Sequence, residues 1–232
     1  MKILGLIPAR GGSKGIPGKN HKPLAGKALI HYSIEVGLAC PQIDHLMVST
    51  DDPKIAEVSK AAGADVPFLR PAHLATDQSP TIDTVIHALT FMEEQERQYD
   101  AICLLQATSP FRSVANLVGA IEQFKRLDAD SLVSVREVPH AYNPHWVFEV
   151  NPKNGFLQIA TGEQQIIPRR QALPQAFHRD GAIYLTKRNI ILEERSLYGA
   201  KMAHYLIDDQ PNINIDQPED WARAELEMAK RK

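Results

Sequence analysis

Cysteine is scarce in this chain of 232 residues: there are two, Cys40 and Cys103, and they form no CxxC pair. Neither HExxH nor paired Cys/His spacing occurs, which argues against a zinc site. Cys103 lies inside the apolar run AICLLQ and reads as a buried thiol. Two unpaired thiols fit a reducing cytoplasm. A basic excess is also missing: 26 Lys and Arg face 28 Asp and Glu, for a formal net charge of −2. That excludes a generic nucleic-acid binder, although local basic patches stay open. No apolar run approaches the ~20 residues of a membrane span. The opening MKILGLIP is broken too soon by Pro8 and Arg10 to read as a signal peptide, so no membrane partner is expected. There is no internal repeat and no low-complexity tract.

What remains is enough chain for one large α/β domain with room for an appended subdomain. Lys2 to Ala9 reads as a buried strand, and HLMVST, His45 to Thr50, as a second. Asp52 followed by Pro53 signals a helix start, with Ile55, Val58 and Ala62 along one stripe. Ser79 and Pro80 repeat that signal before Ile82, Val85, Ile86 and Leu89. A third strand, Ala101 to Gln106, leads to a helix from Ser113 with Val114, Leu117, Val118 and Ile121 inward. Ser131 to Val138 and Gly181 to Thr186 read as further strands, and a last helix starts near Pro218. This alternation predicts an α/β fold, Rossmann-like, with a mainly parallel sheet covered by helices on both faces.

The alternation stops between Pro139 and His178, where Pro139, Pro144, Pro152, Pro168 and Pro174 crowd together. The stretch is too long for an ordinary connection. It reads as an arm inserted into a single domain, and Trp146, Phe148 and Phe156 predict that a second copy of the chain covers it, giving a homodimer.

Directly after the first strand comes IPARGGSKGIPGKN, Ile7 to Asn20. Such a loop can turn several backbone N–H groups toward a phosphate, and Arg10, Lys14 and Lys19 add charge. It is not a Walker A loop, because Ser13 stands where the first Gly is needed and Asn20 follows Gly18-Lys19. GxGxxG is absent. Gly11 to Gly15 does match GxSxG, the nucleophile elbow, but Pro17 and Pro23 oppose an immediate helix and no upstream oxyanion loop fits. A nucleotide phosphate site is the favoured reading.

The loop resembles the N-terminal signature of the CMP-sialic acid synthetases (N-acylneuraminate cytidylyltransferases), a family that includes legionaminic and pseudaminic acid synthetases. STDD, RPAHLATDQSPT, LLQATSPFR, RRQALPQAFHRDGAIY and INIDQPEDW resemble the family's later motifs, in order. SKGIPGKN differs from the Arg-Leu-Pro-Gly-Lys stretch of the related Kdo synthetases, which favours nine-carbon acids over eight-carbon ones.

The resemblance implies transfer of CMP from CTP to a nine-carbon acidic sugar, with release of pyrophosphate. It implies nucleotide binding by Arg10, Gly11, Gly12, Ser13, Lys14, Lys19, Asn20, Arg70, Asp77 and Thr81, with Arg70 and Thr81 at the cytosine and ribose end. Gln106, Arg170, Gln171 and Phe177 fall at sugar-binding positions, and Leu197 and Tyr198 where relatives place an aromatic pair. Arg10, Lys19, Gln106 and Asp216 are the implied catalytic residues. Asp216 and Asn214 are the implied holders of Mg2+, Asn214 replacing a second carboxylate.

Plainer readings compete. Arg70 reads also as one end of a surface ion pair, and Gln106 as a strand-end cap. Asp216 with Glu219 looks like a capping box. Asn214 keeps open a catalytically silent nucleotide-binding or regulatory module on the same fold.

Overall fold

A computed structural model describes residues 1–231. Its strands and helices, in chain order, are β1 (Ile3–Pro8), β2 (Pro23–Leu24), β3 (Lys27–Ala28), α1 (Leu29–Ala39), β4 (His45–Ser49), α2 (Pro53–Ala61), α3 (Thr81–Glu94), β5 (Ala101–Leu105), α4 (Val114–Arg126), β6 (Ser131–Glu137), β7 (Phe148–Val150), β8 (Leu157–Ile159), β9 (Phe177–Lys187), α5 (Arg188–Glu193), β10 (Met202–Leu206) and α6 (Pro218–Ala229). Six strands form one sheet in the order β10-β6-β9-β5-β1-β4. β1 pairs in parallel with both β4 and β5, so the carboxyl ends of all three lie at one edge. β1 and β5 are continuous apolar runs because both of their faces are covered.

The helix starts follow local chemistry. Asp52 accepts from the N–H groups of Lys54 (2.7 Å) and Ile55 (3.2 Å) at the head of α2. Ser113 and Asn116 form a capping box on α4, whose Leu117, Ala120, Ile121 and Phe124 are buried. Ser79 departs from expectation. It does not cap α3; its hydroxyl donates to the Leu74-side carbonyl of His73 (2.7 Å) and meets Thr76 Oγ1 (2.7 Å), closing a turn of its own.

Another correction concerns Gly181 to Thr186. This strand is part of the longer β9, and β9 pairs antiparallel with β5. No crossover helix separates β6 from β9; Val138 N donates to Ala176 O (2.9 Å), so the chain comes back beside the strand it left.

The chain divides into two units, Met1–Ser134 with Asp180–Lys232, and Val135–Arg179. The first holds the sheet and a large core that includes Ile3, Ile34, Cys103 and Phe124. Burial pushes the Cys103 thiol well above its usual range, which leaves it an inert core side chain. The second unit contains a small hairpin, β7 against β8, and 3₁₀ turns at His140–Tyr142, Pro144–Trp146 and Arg170–Ala172. Trp146 is half-buried there and donates Nε1–H to Ile167 O (2.7 Å).

Candidate nucleotide site

A cavity of about 330 Å³ opens at the carboxyl ends of β1 and β5. Pro8 ends β1 at its floor, and Gln106, Ala107 and Thr108 continue from β5. Arg10, Lys19 and Arg70 contribute cations, Asp77 and Asp216 carboxylates. This is the sheet edge where open α/β folds bind ligands.

The glycine loop is anchored on one side. Ile16 is buried in a small cluster with Phe111, Ile215 and Trp221. That contact pulls the loop against the extended segment before α6, and only glycine fits at the closest point. A Cβ on Gly15 would lie 2.1 Å from the Asp216 carbonyl oxygen. Ile215 N donates to Thr108 O (2.9 Å), tying the same segment to the turn after β5.

Lys19 follows at the end of this anchored stretch and is 8% exposed. Its ammonium donates to Ile215 O (2.7 Å) and to Asp216 Oδ1 (2.9 Å). Asn20, also buried, donates Nδ2–H to Arg10 O (3.0 Å) and so fixes the backbone that carries Arg10. Gly11 N–H is held by Asp51 Oδ1 (3.0 Å). Gly11, Gly12 and Lys14 do not line the cavity; Lys14 is drawn to it by Asp77, whose carboxylate bridges Lys14 and Arg10 at 2.6 Å each. Hydrogen bonds first from Lys14 and then from Arg10 hold the Asp77 carboxyl below its ordinary range.

Arg70 is no surface ion pair. It is 7% exposed, and its guanidinium donates to Ser49 O (2.9 Å), Thr84 Oγ1 (3.1 Å) and Leu74 O (3.4 Å). These acceptors are neutral. Burial pushes the guanidinium below its usual range, Asp51 opposes that push and the charge of Arg10 adds to it. A cation in this state gains from an incoming anion or an electron-rich carbonyl.

Thr81, the first residue of α3, lines the cavity together with Thr84 one turn later. Thr84 was not expected there. Its clue was a polar residue inside an apolar helical stripe. Thr76, Ser79 and Thr108 are further lining residues that carry no charge or glycine signature. Arg112 serves the scaffold, donating to Ala182 O (2.6 Å) and Gln106 O (3.4 Å) from a buried position that lowers its pKa to about 10.

The capping box at α6 is shifted by one residue from the expected one. Asp220, not Glu219, accepts from the N–H groups of Gln217 (2.9 Å) and Asp216 (3.1 Å). The Asp216 side chain is thereby released from capping. Its Oδ2 accepts from Asn214 Nδ2 (2.8 Å), which leaves the Asn214 carbonyl unengaged by that bond. Among the described residues, no group of three or more His, Cys, Asp or Glu could hold a metal ion unaided. One carboxylate at the cavity, completed by substrate oxygens and water, is nevertheless a pattern Mg2+ accepts.

Ser13 lines the cavity, but the next helix is α1, starting at Leu29. The strand–turn–helix of a nucleophile elbow is therefore absent, which removes the hydrolase reading. Leu197 and Tyr198 follow α5 and do not line the cavity; the Tyr198 ring sits 6.4 Å from that of Tyr184. Arg170, Gln171 and Phe177 belong to the second unit, the first two exposed and Phe177 half-buried at the start of β9.

Known proteins resemble this chain over nearly its whole length. The CMP-N,N'-diacetyllegionaminic acid synthase of Legionella pneumophila is 36% identical, over 98% of this chain and 97% of its own. The pseudaminic acid cytidylyltransferase of Campylobacter jejuni is 34% identical, over 99% and 95% respectively. A CMP:2-keto-3-deoxy-manno-octonic acid synthetase solved with CTP superposes with a TM-score of 0.75 over 100% of both chains; at 17% identity this likeness concerns the fold. The profile of the family described as Cytidylyltransferase matches residues 4–231. With profile, full-length relatives and sheet-edge cavity in agreement, the chain belongs to the cytidylyltransferase family.

Proposed function

We propose that the protein transfers CMP from CTP to the anomeric hydroxyl of a nine-carbon acidic sugar of the sialic, legionaminic or pseudaminic type. The observation that carries this reading is the cavity at the ends of β1 and β5, with Arg10, Lys19 and the buried Arg70 around it. The hydroxyl oxygen attacks the α-phosphorus in line; the bond to the β-phosphate oxygen breaks, pyrophosphate leaves and the hydroxyl proton is lost. Arg10, Lys14 and Lys19 hold the triphosphate, with the backbone of Gly11 to Ser13 and Asn20 beside them. Preorganised cations of this kind stabilise charge as it moves onto the leaving group. Arg70 and Thr81 take the cytosine and ribose end.

Gln106 offers one amide that both donates and accepts, suited to a polyhydroxylated sugar. Arg170 takes the sugar carboxylate through its planar fork. Gln171 and Phe177 wall the sugar site, and Leu197 and Tyr198 lie toward the acyl group. Asp216, steadied by Lys19 and Asn214, is the residue to hold Mg2+. When bound, Mg2+ supplies charge neutralisation to the phosphates.

The chain acts as a homodimer through residues 139–178, whose exposed apolar side chains a second copy covers. The need for CTP and two reduced buried thiols support the cytoplasm as the place of action. No helix of the described residues is long and apolar enough to cross a membrane.

Pyrophosphate release from CTP, measured with N-acetylneuraminic, legionaminic and pseudaminic acids in turn, tests the reaction and selects the sugar. CTP binding without release for any acid would mark a silent nucleotide-binding module instead. Asp216→Asn should reduce turnover by roughly ten- to a hundredfold. Its thermal midpoint should hardly move, because Asp220 does the capping.

A further inference from the structure

Asp77 sits at the tip of a small exposed turn between the 3₁₀ turn Ala72–Leu74 and α3. The turn is closed by its own bonds: Thr76 N donates to Ser79 Oγ (3.2 Å), and Ser79 Oγ to His73 O (2.7 Å). From that tip the carboxylate reaches across the cavity wall to Arg10 Nη2 and Lys14 Nζ, 2.6 Å from each.

The contrast with Lys19 is informative. The Lys19–Asp216 pair has a nearly buried ammonium and a backbone carbonyl as third member, and it belongs to the framework of the site. The Asp77 pairs are open to water: the side chains of Arg10, Asp77 and Lys14 are 33%, 38% and 79% exposed. Open pairs of this kind are individually weak, so a multivalent anion can displace the carboxylate. The same two cations cannot serve Asp77 and a bound polyphosphate at full strength. An anion that takes them competes with both contacts.

We infer that Asp77 is a tethered competitor for the pyrophosphate end of the site, which weakens retention of the leaving group and returns to Arg10 and Lys14 as it departs. This rests on the reading that Arg10 and Lys14 hold the triphosphate. It assigns Asp77 to product release and not to nucleotide contact. CTP overcomes the same competition because its base and ribose make further contacts that pyrophosphate lacks.

Isothermal titration of the intact protein with inorganic pyrophosphate, without added metal and at one fixed salt concentration, tests the inference. Asp77→Asn should tighten pyrophosphate binding by roughly three- to tenfold, the range that two open ion pairs of ordinary strength correspond to. Asp77→Glu keeps the anion and should stay near the parent protein. Cytidine, which carries no phosphate, should bind all three chains equally. Unchanged or weaker pyrophosphate binding by Asp77→Asn would overturn the inference, since Asp77 would then be idle or would orient the two cations. A parallel change for cytidine would also overturn it, because the substitution would have altered the site as a whole. If no chain bound pyrophosphate or CTP, the phosphate-site reading beneath the inference would fail first.

Discussion

The cavity and the second unit handle water in opposite ways. Around the cavity, polar side chains go inside: Lys19, Asn20, Arg70 and Arg112 are buried, and each has at least one named hydrogen-bond acceptor in the same unit. In the second unit, apolar side chains stay outside: Phe156 is 73% exposed and Tyr142 71%, with Val150 and Leu157 close behind. Burying a cation is costly and persists only where a framework satisfies it. Exposing aromatic rings is costly too, and a partner surface offsets it. The first region gives these buried polar side chains acceptors within one chain, whereas the second leaves large apolar side chains exposed on that same chain.

That difference can be broken from either side. The largest effect is expected from Lys19→Ala, which strips the ammonium from Ile215 O and Asp216. Loss of two charge-assisted bonds should lower kcat/KM for CTP by roughly a hundredfold. Sedimentation should report the same association state as the parent protein. A small kinetic change would remove Lys19 from the nucleotide site, and a change of association state would show that the two regions are not separable.

Arg170→Lys sharpens the contrast from the second unit. The charge remains but the planar fork is lost. The Michaelis constant for the acidic sugar should rise roughly ten- to a hundredfold, with that for CTP nearly unchanged. Arg169→Lys is the neighbouring control and should do less. Steady-state kinetics with each substrate varied in turn reads both; an effect selective for CTP would reassign Arg170.

Phe156→Ser tests the exposed face directly. If a second copy covers this ring, the dimer should dissociate roughly tenfold more readily, as burial of one large apolar side chain implies. Light scattering across a dilution series measures it. A parent protein that is monomeric at micromolar concentration would remove the dimer altogether.

The smallest effect belongs to Asp220→Ala. Removing a helix cap costs about 1 kcal/mol of stability. Thermal denaturation should show the loss while turnover per folded molecule persists. Paired with Asp216→Asn, which should do the reverse, it separates the cap from the site one turn of chain away.

Much of the fold was legible because its strands are short and buried on both faces. β1 and β5 announce themselves as apolar runs, and Asp52 and Ser113 announce their helices by capping chemistry. α1 sent no such signal. Its N-cap position is Ala28, which offers no side-chain bond, and its first turn has no acidic residue. β10 alternates between exposed and half-buried residues at the sheet edge, so its run MAHYL lacks an apolar stripe. The direction of β9 was hidden because an apolar strand looks the same either way round.

The cavity itself was legible where charge and glycine coincide, in Arg10 to Asn20. It was illegible where the contribution is a neutral hydroxyl, as with Thr84, or a one-residue shift of a cap, as with Asp220. The second unit gave little away because its hairpin strands are three residues each, too short to show a period.

The bond between Lys19 and Ile215 joins positions 196 apart in the chain. Gly15 meets the Asp216 backbone across almost the same span. During synthesis on the ribosome, the glycine loop is therefore made 196 positions before the carbonyl that braces it. The sheet can begin to condense from β1, β4 and β5 in the meantime, whereas a nascent chain that has not reached Asp216 has no finished phosphate site. Products that stop before that point lack the Gly15–Asp216 and Lys19–Ile215 contacts, however well their sheets have formed.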